Sequence, residues 1–263
     1  MKWRFTILAG FSLVSLTDAL YGAIVGLALG LTGGGGSIVT LPILVYLVGE
    51  TVHEAIGTSL AVVAGIAAQG LIGQRTRVAW KTGFALGALG LAGSVPASLL
   101  SQRVPGTTLL LAFSVVMIVA AVAMLRVSRP AEAGGTPRPY VVVAVGVGLG
   151  ALTGFLGVGG GFLIVPALTL ALGFPMHRAI PTSLLVIALN SIVSLVTRTA
   201  VVGIDWGVVA LFLAGGIAGN LVGAVGARRL DQRRLKQIFA FFVITVGIFT
   251  GASALGLIPF RVR

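Results

Sequence analysis

The sequence has no cysteine and few charged residues. Of its 263 residues, 9% are charged and 57% are hydrophobic, whereas soluble domains carry about 25% charged residues. The absence of cysteine excludes disulfides, thiol catalysis and thiolate metal sites. With a mean hydropathy of +1.11, the composition predicts an integral membrane protein, and helix-length apolar runs predict that it is all-α.

Acidic residues are also scarce, with 6 Asp and Glu against 18 Lys and Arg. All of them lie near the ends of apolar segments or in loops: Asp18, Glu50, Glu54, Glu132, Asp205 and Asp231. A cation or proton pump usually needs a carboxylate inside the membrane, so this distribution disfavours one. The net charge of +12 has two interpretations. The simpler is the positive-inside rule of membrane proteins, and the second is an anionic substrate.

Apolar runs divide the chain into helix-sized segments. A helix needs about 20 apolar residues to cross a bilayer, and the runs of suitable length are 5–31, 54–74, 80–101, 106–126, 139–156, 178–200, 206–227 and 236–256. Two further runs, 37–49 and 161–173, are too short, and each follows a glycine cluster. A joint rich in Pro, Gly and charge separates the halves. We therefore expect a first repeat at 1–125, a cytoplasmic linker at 126–138 and a second repeat at 139–263.

The beginning of the chain has two interpretations. Lys2 and Arg4 precede an apolar run, as they would in a secretory signal peptide. The apolar pattern resumes at once after the small residues near Ala19, so an uncleaved first helix is the simpler interpretation. Residues 5–20 would then form an additional helical crossing.

The two halves are internal repeats. At an offset of 124 residues, Gly22, Gly26, Gly30, Gly33, Gly35, Gly36, Pro42, His53, Thr58 and Ser59 match Gly146, Gly150, Gly154, Gly157, Gly159, Gly160, Pro166, His177, Thr182 and Ser183. At an offset of 126 residues, Trp80 and Arg103 match Trp206 and Arg229. Because histidine and tryptophan are rare in this chain, such matches indicate a duplication.

The basic loops indicate that the repeats are inverted. In the first half, the loop with Arg75, Arg77 and Lys81 lies between the third and fourth pieces, whereas in the second half the cluster from Arg228 to Lys236 lies between the fourth and fifth. Basic loops stay in the cytoplasm, so equivalent elements of the halves should run in opposite directions. Inverted repeats are typical of secondary transporters. The predicted fold is therefore two inverted repeats of transmembrane helices, each with a glycine-broken helix pair.

Glycine clusters interrupt both repeats at the same place, in GGGGSIVTLP (33–42) and GVGGGFLIVP (157–166). Unpaired backbone groups are costly in lipid, so such breaks occur only inside the protein or beside a watery cavity. Short helices starting at Ser37 and Phe162 would point free N–H groups at the breaks, and helix N-termini bind anions. We expect the two breaks to meet near the midplane as a small anion-binding cavity. The alternative is that glycine only lets helices pack closely, and we prefer it for Gly22, Gly26, Gly30 and their equivalents.

Polar side chains lie inside the apolar helix that follows each short segment, and each has two possible roles. The pairs 58–59 and 182–183, both Thr-Ser, either donate to an oxyanion or bond back to their own helix. Gln69 and Asn190 lie deeper in the same helices, where an amide either lines a pathway or bridges helices. Each helix also starts near a histidine, His53 or His177. A histidine titrates near neutral pH and can couple protons, but helix capping is the simpler role.

Both halves contain the pattern G-hydrophobic-GGG-hydrophobic-P followed by His-x-Ala-hydrophobic-x-Thr-Ser. The segments are GLTGGGGSIVTLP (30–42) with HEAIGTS (53–59), and GFLGVGGGFLIVP (154–166) with HRAIPTS (177–183). This pattern resembles the TauE/SafE family of sulfite and sulfonate exporters, from about residue 20 to residue 253. The first half departs from the family pattern at Thr32 and Ser37. The resemblance implies a bacterial inner-membrane, multi-pass exporter that uses the glycine loops and the Thr-Ser pairs.

The function that follows is a secondary transporter that exports sulfite, sulfoacetate or related sulfonates by alternating access. The alternatives are an anion channel and a transporter of another small anion. An enzyme is disfavoured, because two His, no Cys and no buried carboxylate pair leave no catalytic constellation. No cofactor, metal or nucleic acid is expected. The expected partners are a small anionic substrate and the lipid bilayer, and a homodimer is left open. The candidate substrate-binding residues are Gly33, Gly34, Gly35, Gly36, Ser37, Thr58, Ser59, Gln69, Gly157, Gly159, Gly160, Gly161, Thr182, Ser183 and Asn190.

Overall fold

The computed structural model describes residues 2–126, 139–156, 161–199 and 204–257, and this part of the chain is helical without strands. The first half contains α1 (Lys2–Thr32), α2 (Gly35–Ile43) with a π-helical turn (Leu44–Val48), α3 (Val52–Gln74), α4 (Trp80–Ser101) and α5 (Gly106–Arg126). The second half contains α6 (Pro139–Leu156), α7 (Gly161–Pro166) with a π-helical turn (Ala167–Ala171), α8 (Met176–Thr199), α9 (Trp206–Arg229) and α10 (Gln232–Ala254). The predicted linker at 126–138 falls almost wholly outside the described residues.

Seven of the described helices are long and apolar enough to cross a bilayer, namely α3, α4, α5, α6, α8, α9 and α10. This confirms an all-α, multi-pass membrane protein. The predicted N-terminal segment 5–20 lies within α1, which is continuous from Lys2 to Thr32. Within α1, the apolar helix from Leu16 to Thr32 packs along α9.

Acidic residues start several of the helices. Thr51 and Glu54 form a reciprocal capping box at the start of α3. Asp205 accepts hydrogen bonds from two backbone N–H groups at the start of α9, and Asp231 accepts one at the start of α10. A carboxylate at a helix start satisfies orphan donors and suits the helix dipole. Three of the few acidic residues in the chain therefore cap the starts of helices.

The helices α3 and α8 form the centre of the fold, since both are largely buried while the other spanning helices expose one side. The contacts around them obey a twofold exchange of the repeats. The pairs α1–α9 and α6–α4 are equivalent, as are α3–α9 and α8–α4. The pairs α3–α8, α5–α10 and α2–α7 join each element to its own equivalent. Helices of each half therefore pack mainly against helices of the other half.

Contacts between residues give the direction of the central helices. Along α3 and α9, Gly57 faces Ile204 and Gly65 faces Leu213, so these helices are parallel. Along α4 and α8, Gly83 faces Leu185 and Gly90 faces Asn190, so these are also parallel.

The helices α3 and α8 run in opposite directions. The end of α3 lies by the start of α8, where Gln74 and Ile180 line one cavity. The start of α3 lies by Ile204, which follows α8. It follows that α9 is also opposite to its equivalent α4. Inverted repeats require that equivalent helices run in opposite directions, as α3 and α8 do. The orientation of each half in a membrane stays a prediction.

The two ends of the helix bundle differ in charge. One end, which we call the basic end, holds the connections after α3 and α9 with Arg75, Arg77, Arg228 and Arg229. The opposite end, which we call the acidic end, holds Glu50, Glu54 and Asp205 beside the starts of α3 and α9. By the positive-inside rule, the basic end is expected to face the cytoplasm.

Closely spaced glycines join the repeats. A Cβ atom added at Gly22, Gly26 or Gly30 of α1 would overlap the backbone of α9, and one added at Gly150 or Gly154 of α6 would overlap the backbone of α4. These glycines therefore let helix backbones approach closely. The close-packing interpretation of these isolated glycines is confirmed.

Thiol labelling tests the opposite orientation of the repeats. The chain has no cysteine, so single-cysteine variants have no background. Arg103→Cys and Arg229→Cys alter equivalent, exposed residues that follow α4 and end α9. We expect a membrane-impermeant maleimide to label Arg103→Cys only from outside and Arg229→Cys only from the cytoplasmic side. Labelling of both variants from one side would contradict the inversion.

Candidate functional site

The break after α1 is a two-residue turn at Gly33 and Gly34. Gly33 has a φ of +71°, which glycine adopts without strain, and Gly34 precedes the first residue of α2. The helix therefore begins at Gly35, two residues before the predicted start at Ser37. Gly35 and Gly36 belong to α2 rather than to the break. A Cβ atom at Gly36 would overlap the carbonyl oxygen of Val25, because α2 folds back tightly onto α1.

Ser183 holds this turn in place. Its hydroxyl oxygen lies 2.6 Å from the carbonyl oxygen of Gly33 and 2.7 Å from that of Ile180, so its hydrogen is used by these carbonyls. A Cβ atom on Gly33 would lie 2.8 Å from the Cα of Ile180. The predicted substrate donor Ser183 therefore serves first to fasten the glycine turn to α8.

Thr182 joins α8 to the start of α4. Its hydroxyl oxygen accepts a hydrogen bond of 3.0 Å from the backbone N–H of Ala79, the residue before α4. This bond satisfies one of the N–H groups that a helix start leaves unpaired. Thr182 therefore lies at the basic end, level with the connection that follows α3.

The equivalent pair in the first half lies at the acidic end. The Thr58 hydroxyl donates to Oε1 of Glu50 at 3.1 Å. Ser59 is fully buried, and its hydroxyl has no hydrogen-bond partner in the described part of the chain. The predicted site residues Gly157, Gly159 and Gly160 lie outside the described residues, and Gly161 is the first residue of α7.

The structure does not bring the two Thr-Ser pairs together. From Thr58 to Gly70, α3 rises about 18 Å at about 1.5 Å per residue. Gly70 meets Leu184 of the oppositely directed α8, and Thr182 lies further toward the basic end, beside Ala79. The expectation of one cavity shared by both pairs near the midplane is therefore corrected to two separate ends. The reason is the opposite direction of α3 and α8, which carries residues near their starts to opposite ends.

The two predicted amides lie between these ends. Gln69 accepts a hydrogen bond of 2.7 Å from Asn220, so it bridges α3 and α9. Asn190 packs against Gly90 of α4 and is buried, with no hydrogen-bond partner for its Oδ1 among the described residues. Sequence reasoning missed Asn220, although an asparagine inside a glycine-rich apolar helix is itself a signal.

A cavity of about 100 Å³ opens at the basic end. This is room for about three waters at about 30 Å³ each. Ile180, which contacts Gly33, belongs to its wall, so the cavity adjoins the glycine turn. Its lining residues come from both halves: Gln74, Arg77, His177, Ile180, Ala224, Ala227, Arg228, Leu230 and Leu235.

The polar groups of this cavity suit an anion. Arg77 and Arg228 bring one guanidinium from each half, and Arg228 also donates to the carbonyl of Gly73 at 3.2 Å. The Gln74 amide nitrogen is buried and has no hydrogen-bond partner among the described residues. None of the described residues that line the cavity is a carboxylate. Guanidinium and amide N–H groups recognise oxyanions directly.

Sequence reasoning assigned Arg77 and Arg228 only to membrane orientation and did not consider Gln74. Arg77 follows α3 and Arg228 lies in the last turn of α9, and the packing places both at one end of the bundle. That shared placement is the signal from which a common site could have been found.

Comparisons with known proteins agree with a transport function. The family model described as "Sulfite exporter TauE/SafE" matches residues 19–250. A "Probable membrane transporter protein" of Xylella fastidiosa (strain 9a5c) is 35% identical over 238 residues, which cover 87% of this chain and 91% of that protein. "Probable membrane transporter protein YunE" of Bacillus subtilis (strain 168) is 28% identical over 259 residues, 86% of this chain and 93% of that protein. No solved structure matches.

Two glycines with positive φ provide a matched test of the turn. Gly33→Ala and Gly49→Ala both introduce left-handed strain of about 1–2 kcal/mol, but only Gly33 lacks space for the added Cβ. We expect Gly33→Ala to lose a further 1–3 kcal/mol, roughly, from overpacking. Thermal unfolding in detergent should show a clearly larger loss for Gly33→Ala. Equal losses would mean that the turn tolerates a side chain.

Proposed function

Because this chain belongs to the TauE/SafE sulfite exporter family of membrane transporters, we propose that it exports small sulfur-containing oxyanions. The substrates are sulfite, sulfoacetate or related sulfonates, and the membrane is the bacterial inner membrane. The observation that carries the proposal is the cavity at the basic end, to which each repeat contributes an arginine.

The first step is capture of the anion from the cytoplasm. The basic end carries Arg75, Arg77, Lys81, Arg178, Arg228 and Arg229 around the cavity mouth or on the same face. Such a cluster raises the local concentration of anions. Inside the cavity, Arg77, Arg228 and the Gln74 amide would replace water around the oxyanion oxygens.

The second step is exposure of the anion at the acidic end. Inverted repeats allow alternating access when the halves exchange their local conformations. Thr58 and Ser59 of α3 would then make the kind of contacts with the second half that Thr182 and Ser183 of α8 now make with the first half. A membrane potential that is negative inside would favour efflux by about 2.3 kcal/mol per charge per 100 mV.

An anion channel is the second candidate, since the same donors could line a pore. Buried apolar side chains of α3 and α8, such as Val63 and Ile187, lie between the two ends and belong to the core. A closed core between two polar ends favours a carrier. Saturable exchange distinguishes a carrier from a channel, which shows conductance instead.

Flux from loaded proteoliposomes tests the substrate class and the cavity together. We expect saturable efflux of sulfite and sulfoacetate that chloride does not block. Arg77→Gln and Arg228→Gln should each raise KM about tenfold, because each removes an interaction worth about 1.4 kcal/mol with the anion.

Arg229→Gln is the matched control. It removes the same charge from the next residue of α9, which does not line the cavity, and should change KM less than about twofold. Equal effects of Arg228→Gln and Arg229→Gln would show that only the overall charge of the basic end matters. Absence of saturable efflux for every sulfur oxyanion tried, at either sign of the membrane potential, would overturn the proposed substrate class.

A further inference from the structure

Glu50 places a carboxylate on the hydroxyl of Thr58 at the acidic end. It lies between the π-helical turn Leu44–Val48 and α3. Its Oε1 accepts the hydrogen bond from Thr58 at 3.1 Å, while its Oε2 is buried and has no hydrogen-bond partner among the described residues. The Thr58 hydroxyl is therefore the one described hydrogen-bond donor to a carboxylate that is largely shielded from water.

The backbone around Glu50 does not require an acid. In the second repeat, the equivalent residue is Phe174. The backbone N–H of Glu50 donates to Leu44 at 3.0 Å, and that of Phe174 donates to Leu168 at 2.8 Å. The preceding glycines, Gly49 and Gly173, both have positive φ. The two turns are therefore built alike, and the carboxylate is a feature of the acidic end alone.

The charges that face Glu50 are mostly negative. Glu54 on α3, Asp205 before α9 and Asp18 on α1 all act on its carboxylate. Arg198, near the end of α8, also lies at this end, and its side chain is not among those described. The titratable groups described at this end include His53 on α3, Tyr46 in the π-helical turn and the exposed Arg103 after α4. Among the described residues, none of these forms an ion pair with Glu50.

Protonation of Glu50 is therefore accessible near neutral pH. Burial, with smaller contributions from the neighbouring acids, raises the pKa of Glu50 to about 7 against the lowering effect of the Thr58 hydrogen bond. A protonated carboxyl carries no charge and no longer needs the Thr58 hydroxyl as a donor.

We propose that Glu50 is a tethered anion that occupies the outward-facing anion site on Thr58 and leaves it when it takes up a proton. The inference rests on the proposed function, in which a substrate oxyanion reaches Thr58 at the acidic end. The ionised carboxylate and the substrate compete for one hydroxyl and repel each other. Protonation removes the repulsion and frees the donor, so arrival of the anion at this outward-facing site is linked to proton binding from the outer side.

The pH dependence of efflux follows from this competition. Between pH 6 and pH 8 on the acidic-end side, the protonated fraction of Glu50 falls from about nine-tenths to about one-tenth, given a midpoint near pH 7. Efflux should fall about tenfold over that range. Sulfoacetate is the suitable probe, because sulfite itself changes charge near neutral pH.

Glu50→Gln and Glu54→Gln form a matched pair of variants. Glu50→Gln mimics the neutral side chain, so its efflux at pH 8 should equal that of the wild type at pH 6 within about twofold. Glu54 is a nearby acid whose capping role a glutamine can keep. Glu54→Gln should therefore retain the tenfold decrease, with its midpoint moved only slightly to lower pH because one neighbouring negative charge is removed. A Glu50→Gln protein with the wild-type tenfold decrease would overturn the proposal.

Infrared spectroscopy tests the proton site without transport. In the full-length protein in detergent, the carboxylic C=O band of protonated Glu50 should titrate near pH 7. That one band should be absent from Glu50→Gln. Sulfoacetate should raise the midpoint by about one pH unit, because anion binding and proton binding favour each other reciprocally, and chloride should not. The proposal would be overturned if no band specific to Glu50 titrated between pH 5 and pH 9. It would also be overturned if no sulfur oxyanion moved the midpoint of that band. If sulfoacetate shifts the band but the protein shows no sulfoacetate efflux, the proton-linked anion site at Glu50 is supported and the proposed export function is contradicted.

Discussion

In a lipid bilayer every backbone N–H and C=O group needs a partner inside the protein. The turn at Gly33 and Gly34 meets this requirement through its neighbours. The N–H of Gly33 donates to Leu29 and its carbonyl accepts from Ser183. This places the break against α8 and lets α2 return along α1. The central position of α3 and α8, and the cavity beside Ile180, depend on that satisfied break.

Close glycine contacts and the twofold exchange make the two halves one packing unit. The helix α1 of the first half lies on α9 of the second, and α6 lies on α4. A movement of one half must therefore carry elements of the other. This interlocked arrangement is suited to a transporter that exchanges two related conformations rather than to two independent domains.

The halves share a backbone plan but differ in charge. Arg228 at the basic end corresponds to Gln102 at the acidic end, and Phe174 at the basic end corresponds to Glu50 at the acidic end. In the proposed function, an anion would therefore meet donors at one end and a competing carboxylate at the other. These few substitutions at equivalent positions would give a nearly symmetric scaffold a preferred direction of transport.

Most of the fold could be predicted from the sequence, because apolar length in a membrane protein directly determines helix position. The predicted runs 54–74, 80–101 and 139–156 lie within about two residues of α3, α4 and α6. The start of α2 was misplaced, because Gly35 and Gly36 extend the helix where a cluster of glycines suggested a longer break.

The sequence by itself determined the class of the protein, its helices, its duplication and the residues that repeat. Hydrophobicity and internal similarity are local properties that a single chain displays. Only the tertiary structure decided which repeated residues meet. The opposite directions of α3 and α8 separate Thr58 from Thr182, and the connections after α3 and α9 bring Arg77 to Arg228. Distance in space depends on helix direction and packing partners, and neither is written in the spacing of residues along one chain.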